Sequence, residues 1–135
     1  MESLLPIAIV LVLASGFGFW HNRSRGKVVV KSDKGLITSE MIGADLGSRV
    51  TLLQFSTVFC GPCRATRLLI QDVTANMSDV AHVEIDAEAN LELVRKLDIR
   101  STPTTLFLDA RGHEIGRAMG APKREQVLQA IAAIG

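Results

Sequence analysis

Apolar and polar positions along this chain follow three rhythms. From Leu4 to Trp20 no side chain is charged and no polar stripe breaks the run, which is the pattern of a helix that is apolar on every side. At about 1.5 Å per residue the run reaches roughly 25 Å, the short end for a bilayer core about 30 Å thick. A second, strand-length rhythm occurs five times. Val28 to Val30 is a short β-branched run and predicts an edge strand. Val50 to Phe55 is almost continuously apolar, as for a central strand buried on both faces, and Gln54 interrupts it. Val80 to Ile85, ended by Asp86, predicts another strand. Thr104 to Leu108 and Glu114 to Met119 flank Ala110-Arg111-Gly112-His113, which predicts a hairpin and hence an antiparallel pair.

The third rhythm is helical. Thr38 or Ser39 caps a short helix that Gly47 ends. Arg64 to Met77 predicts a helix with Leu68, Leu69 and Val73 on its apolar face. Asn90 caps a helix from Leu91 to Leu97, and Lys123 to Ile134 predicts a last one with Val127, Leu128 and Ile131 inward. His21 to Gly26 reads as a polar linker and Lys34-Gly35 as a turn. After the N-terminal helix the order is β-α-β-α-β-α-β-β-α. It predicts an α/β fold, a mixed sheet with helices on both faces, preceded by one transmembrane helix. The expected division is an anchor and basic linker over residues 1–27 and one domain over 28–135.

Charge changes how the first segment is read. The chain has 135 residues and a net charge of +1, but the excess sits next to the apolar run. Arg23, Arg25, Lys27, Lys31 and Lys34 follow it and no Lys or Arg precedes it. A cleaved signal peptide would want positive charge before the run and small residues at its end. Here Glu2 precedes it and Phe17-Gly18-Phe19-Trp20 closes it, which favours an uncleaved anchor. The positive-inside rule then places the following domain in the cytoplasm. Residues 28–135 are near neutral, so no nucleic-acid partner is expected.

The chemistry lies in Phe59-Cys60-Gly61-Pro62-Cys63-Arg64, which holds both cysteines of the chain. It falls between the predicted central strand and a helix that starts at the cysteine. A helix N-terminus offers free N–H groups and the positive end of the macrodipole. Both stabilise a thiolate, so Cys60 is the expected nucleophile and Cys63, one turn on, the resolving thiol. Pro62 fits a first turn, where its missing N–H has no partner to lose. A structural zinc site would need two more ligands, and His21, His82 and His113 are not spaced to supply them. No metal and no bound cofactor is expected, only a redox-active Cys60–Cys63 disulfide.

Cys60-Gly61-Pro62-Cys63 resembles the active site of the thioredoxin family. Ser101-Thr102-Pro103-Thr104 lies where that family carries its cis-proline, and Gly120 precedes the last helix, where the family has a glycine near the site. The resemblance covers roughly Val28 to Gly135 and implies a thioredoxin-like fold. With the apolar run it suggests a membrane-anchored thioredoxin-like protein of bacterial type. It implies that Thr102 and Pro103 close the site. Phe59, Gly61, Pro62, Thr102, Pro103, Met119, Gly120 and Ala121 would form a shallow docking surface. Phe59 departs from the family's usual Trp, keeping the apolar contact but losing the indole donor. At Gln54 the family holds a buried Asp thought to move the proton of the second cysteine, and at His82 it usually holds a Lys. Gln cannot titrate, so Gln54 and His82 are either a hydrogen-bonded structural pair or part of an altered proton path.

The Gly-Pro dipeptide resembles that of reducing thioredoxins. The implied activity is reduction of disulfide-bearing proteins, with thioredoxin reductase or a similar dithiol donor as electron source. Two alternatives stand beside it: an outward-facing oxidoreductase for exported proteins, such as one keeping cytochrome cysteines reduced, and a tethered module that binds without turnover.

Overall fold

The computed structural model describes residues 4–24, 28–30 and 35–135. Arg25, Lys27, Lys31 and Lys34, and with Lys34 half of the predicted turn, lie outside the described residues. Helix α1 runs Leu4–Ser24. It continues through His21, Asn22, Arg23 and Ser24, where a linker was expected, because none of these is a Pro or Gly that would stop it. No described side chain of α1 is buried, and Leu4–Arg23 is long and apolar enough to cross a membrane.

Five strands follow: β1 (Val28–Val30), β2 (Val50–Ser56), β3 (Val80–Asp86), β4 (Thr104–Leu108) and β5 (Glu114–Met119). They form one sheet in the order β1-β5-β4-β2-β3. The β2–β3 pair is parallel, and β2–β4, β4–β5 and β1–β5 are antiparallel. The expected hairpin and edge strand are therefore present. The helices are α2 (Ser39–Ile42), α3 (Gly61–Thr74), α4 (Leu91–Lys96) and α5 (Arg124–Ala133).

Every residue of β2 is buried, and its alternation sorts two cores. Leu53 and Phe55 face Ile42, Leu93, Leu97, Leu106 and Leu108 on the α2/α4 side. Val50 and Leu52 face Ile70, Val73, Phe107, Val127 and Ile131 on the α3/α5 side. A strand buried on both faces must read as an apolar run, and this one does. Gln54 shares the parity of Val50 and Leu52, which aims it at α3.

Three expectations are corrected. Helix α2 ends at Gly43, in the left-handed conformation with φ 66°, and not at Gly47. Thr38 does cap it, accepting from the Met41 N–H. Gly47 serves a close approach instead, since a Cβ there would lie 2.1 Å from the Val50 carbonyl oxygen. Leu68 and Leu128 are exposed, not inward. The buried stripes run Cys63, Thr66, Ile70, Val73 on α3 and Val127, Ile131 on α5, spacings of three and four that leave Leu68 two positions and Leu128 one position off the seam. Asn90 stands at the N-cap of α4 but makes no capping bond, and its amide donates to the Asp86 carbonyl.

Candidate active site

The end of β2 and the start of α3 place the two cysteines. Cys60 is the N-cap of α3 with extended backbone, and Pro62 sits in the first turn. The Cys63 N–H donates to Cys60 Sγ at 3.2 Å. The sulfur thus takes the role an N-cap oxygen usually has, on one of the free donors of the helix end. Cys60 and Cys63 are joined as a disulfide, with Cα atoms 5.2 Å apart. Cys63 is buried and Cys60 half-buried. Of the two sulfur-bearing residues, Cys60 is the one more open to an incoming group.

The floor beneath Cys63 is polar and uncharged. Gln54 is fully buried, and its amide nitrogen donates to the Cys63 carbonyl at 2.9 Å and to Ser56 Oγ at 3.0 Å. A carbonyl only accepts, so this fixes which end of the amide points at Cys63. Gln54 Oε1 then faces His82 Nε2 at 2.9 Å. His82 must carry its proton on Nε2 to donate there. The register explains the meeting. Leu52 is opposite His82 and Gln54 opposite Glu84, so Gln54 and His82 are diagonal neighbours on the α3 face. On the same face Arg67 of α3 makes a two-pronged contact with Glu84 at 2.6 and 2.7 Å, so it is not a free cation.

Burial pushes the His82 pKa down from its ordinary value near 6.5, with Glu84 opposing and Arg67 adding to the shift. The sign of the consequence is definite. A histidine held neutral in the fold contributes fully above its unfolded pKa, about 6.5, and that stability is lost as pH falls through 6.5 toward the lower folded value. Thermal unfolding of the natural chain and of His82→Asn between pH 8 and pH 5 reads this out. The gap between the two chains should narrow as the pH falls, and a constant gap would contradict a neutral, half-buried His82.

Thr102–Pro103 is a cis peptide bond. Pro103 O accepts from the Gly120 N–H at 2.8 Å, and Gly120 adopts φ 85°, a conformation suited to glycine. Thr102 Oγ1 lies 3.4 Å from Thr57 Oγ1. The predicted docking residues divide into two shallow concavities. Pro62, Thr102, Pro103, Met119, Gly120 and Ala121 line a groove of about 660 Å³, which Asn22 of α1 also lines. Phe59, fully exposed, lies with Gly61 in the second, where Cys60 itself is found. Val58 and Leu68 join Phe59 there, both exposed. Neither was anticipated, although an apolar residue midway between the seam positions Thr66 and Ile70 was a usable signal for Leu68.

One further group bears on the site. Arg117 of β5 is buried and donates to the Leu97 and Asp98 carbonyls, at 2.9 and 3.2 Å, and to Glu114 at 2.8 Å. It thereby ties β5 to the end of α4, from which the chain runs into Thr102–Pro103. No three or more His, Cys, Asp or Glu side chains gather into a metal-holding group among the described residues.

Known proteins resemble this arrangement. A family model described as Thioredoxin matches residues 39–133. Thioredoxin H5 of Oryza sativa is 29% identical over 97 residues, which is 72% of this chain and 71% of that protein. Thioredoxin-2 of Saccharomyces cerevisiae is 29% identical over 64% of this chain and 81% of its own length. Among solved structures, thioredoxin f from spinach chloroplast is 31% identical with a TM-score of 0.58, covering 64% of this chain and 71% of that one. The Nicotiana alata thioredoxin NaTrxh is 27% identical with the same TM-score, covering 64% and 73%.

Proposed function

Because the chain belongs to the thioredoxin family, and is a thiol–disulfide oxidoreductase by that membership and its cysteine pair, we propose that it is a membrane-tethered protein-disulfide reductase whose domain faces the cytoplasm. The observation that carries the thiol chemistry is the Cys63 N–H aimed at Cys60 Sγ from the first turn of α3, and the reducing direction rests on Gly61-Pro62, the dipeptide of reducing thioredoxins. The same donor and the helix dipole favour a thiolate on Cys60 once the disulfide is opened.

The Cys60 thiolate attacks one sulfur of a substrate disulfide, a mixed disulfide forms, and the other substrate sulfur leaves as a thiolate. Cys63 loses its proton and attacks Cys60 Sγ, which releases the second substrate thiol and forms the Cys60–Cys63 disulfide. Two electrons pass to the substrate, and a dithiol donor such as thioredoxin reductase restores the pair. With Gln54 at the floor, no carboxylate takes the Cys63 proton. The departing substrate thiolate or water receives it, and Gln54 and His82 act as a hydrogen-bonded support that holds the Cys63 carbonyl. Phe59 and Gly61 on one side of the disulfide, and Pro62, Thr102, Pro103, Met119, Gly120 and Ala121 on the other, would hold an extended substrate segment.

The tether rests on α1, apolar from Leu4 to Trp20 and unburied at every described side chain, and the orientation on the basic residues at its end and after it. Residues 1–27 would serve as anchor and linker and 28–135 as the domain. A reporter fused after Gly135, active only on one side of the membrane, tests this with an alkaline wash of the membrane fraction. Retention and a cytoplasmic signal are expected. An outside signal would make the chain an outward-facing oxidoreductase, and release by the wash would remove the tether.

A further inference from the structure

The strand register fixes which end of the domain the anchor enters. β1 runs antiparallel to β5, with Val28 opposite Ala118 and Val30 opposite Gly116. The first residue of β1 therefore lies beside Ala118, the strand residue before Met119 and Gly120. Met119 is opposite Thr104, and Thr104 is also opposite Phe55. These residues lead directly to Pro103 on one strand and to Cys60 on the other. Val28 is thus at the catalytic end of the sheet. A strand running the other way would have brought the anchor in beside Glu114, at the far end.

The connection is short. Three residues separate Ser24, the last of α1, from Val28, and a fully extended chain covers at most about 14 Å over that distance. A second observation agrees: Asn22, near the end of α1, lines the same groove as Pro62, Thr102, Pro103 and Met119. The rim of this face carries exposed apolar side chains, Val58, Phe59, Leu68 and Met119. The charged residues lining the two concavities are Arg64, Lys123 and Arg67, the last neutralised by its pair with Glu84, with no acidic side chain among the described lining residues. Such a face meets an anionic headgroup layer without repulsion.

We infer that the Cys60 face looks toward the bilayer surface, and that its substrates are disulfides in membrane-proximal segments of other membrane proteins. The inference rests on the tether proposed above. A freely diffusing protein must enter a gap no wider than the short connection allows. A cysteine pair just above the headgroups is already within it, at a raised effective concentration.

The test uses the full chain carrying Cys63→Ser, so that Cys60 is its one thiol, in phosphatidylcholine–phosphatidylglycerol vesicles. A second chain carries in addition a Gly/Ser insert of about twenty residues after Lys27, which lengthens the tether by some 25 Å on average. Two probes are compared: a maleimide borne on a lipid headgroup, and a soluble maleimide on a large polyethylene glycol. Rates in detergent normalise the two chains. The short tether should react about tenfold faster than the long one with the lipid-borne probe, and about tenfold slower with the soluble one. Equal rates for the two chains with both probes would overturn the inference, as would release of the chain by an alkaline wash before labelling. Labelling needs no turnover, so failure of the reductase reading would leave this result unchanged and show itself only in a disulfide-reduction assay.

Discussion

Cys60→Ser removes disulfide reduction, with a fall of at least about three orders of magnitude, the scale seen when a catalytic nucleophile is deleted. Serine keeps the N-cap geometry, since its oxygen accepts from the same Cys63 N–H that the sulfur accepts from. The fold should survive and the loss should be chemical. Cys63→Ser has a different outcome. Cys60 still attacks, but no thiol resolves the product, so a mixed disulfide accumulates on Cys60 and turnover stops. A reduction assay coupled to a dithiol donor, with mass analysis of the trapped adduct, separates the two variants. A chain whose cellular effect persists with Cys60→Ser would be a binding module, not a catalyst.

Arg117→Ala is expected to give the largest loss of stability. The Arg117 and Glu114 side chains are each only 6% exposed. Truncating the arginine leaves a buried carboxylate unpaired, a change that costs about 3–5 kcal/mol. It also strips donors from the Leu97 and Asp98 carbonyls. For a domain of about 100 residues this lowers Tm by roughly 15–30 °C. Pairing Arg117→Met with Glu114→Leu should cost less than Arg117→Ala alone, because it leaves no unpaired charge. Thermal unfolding of the single and double variants decides it. A loss below about 1 kcal/mol for Arg117→Ala would show that the pair is effectively solvated.

Arg117 also marks where sequence reading stopped. In an alternating strand a charged residue reads as solvent-facing, and only the β4–β5 register and the carbonyls at the end of α4 reveal it as buried. The central strand was legible for the opposite reason: burial on both faces leaves an apolar run of six or seven residues, and its short length with Val, Leu and Phe separates it from the much longer apolar helix α1. Leu68 and Leu128 were misplaced because apolar character says nothing about what covers a residue. Leu68 lies in the same concavity as Cys60 and serves the surface, not the core. Gly47 looked like a helix stop because α2 is a single turn, too short for periodicity to locate its end. Gln54 and His82 were legible as residue types, and their contact depended on a register that places them diagonally across two strands.

In the reading proposed here the Cys60–Cys63 pair is a reductant. Its most direct test is the redox potential of that pair in the full chain, measured by equilibration with glutathione and mass-tagged trapping of the thiols. A reductant has a value near that of thioredoxin, about −270 mV, while a value above about −200 mV would place the pair with the oxidising enzymes and overturn the reductase function.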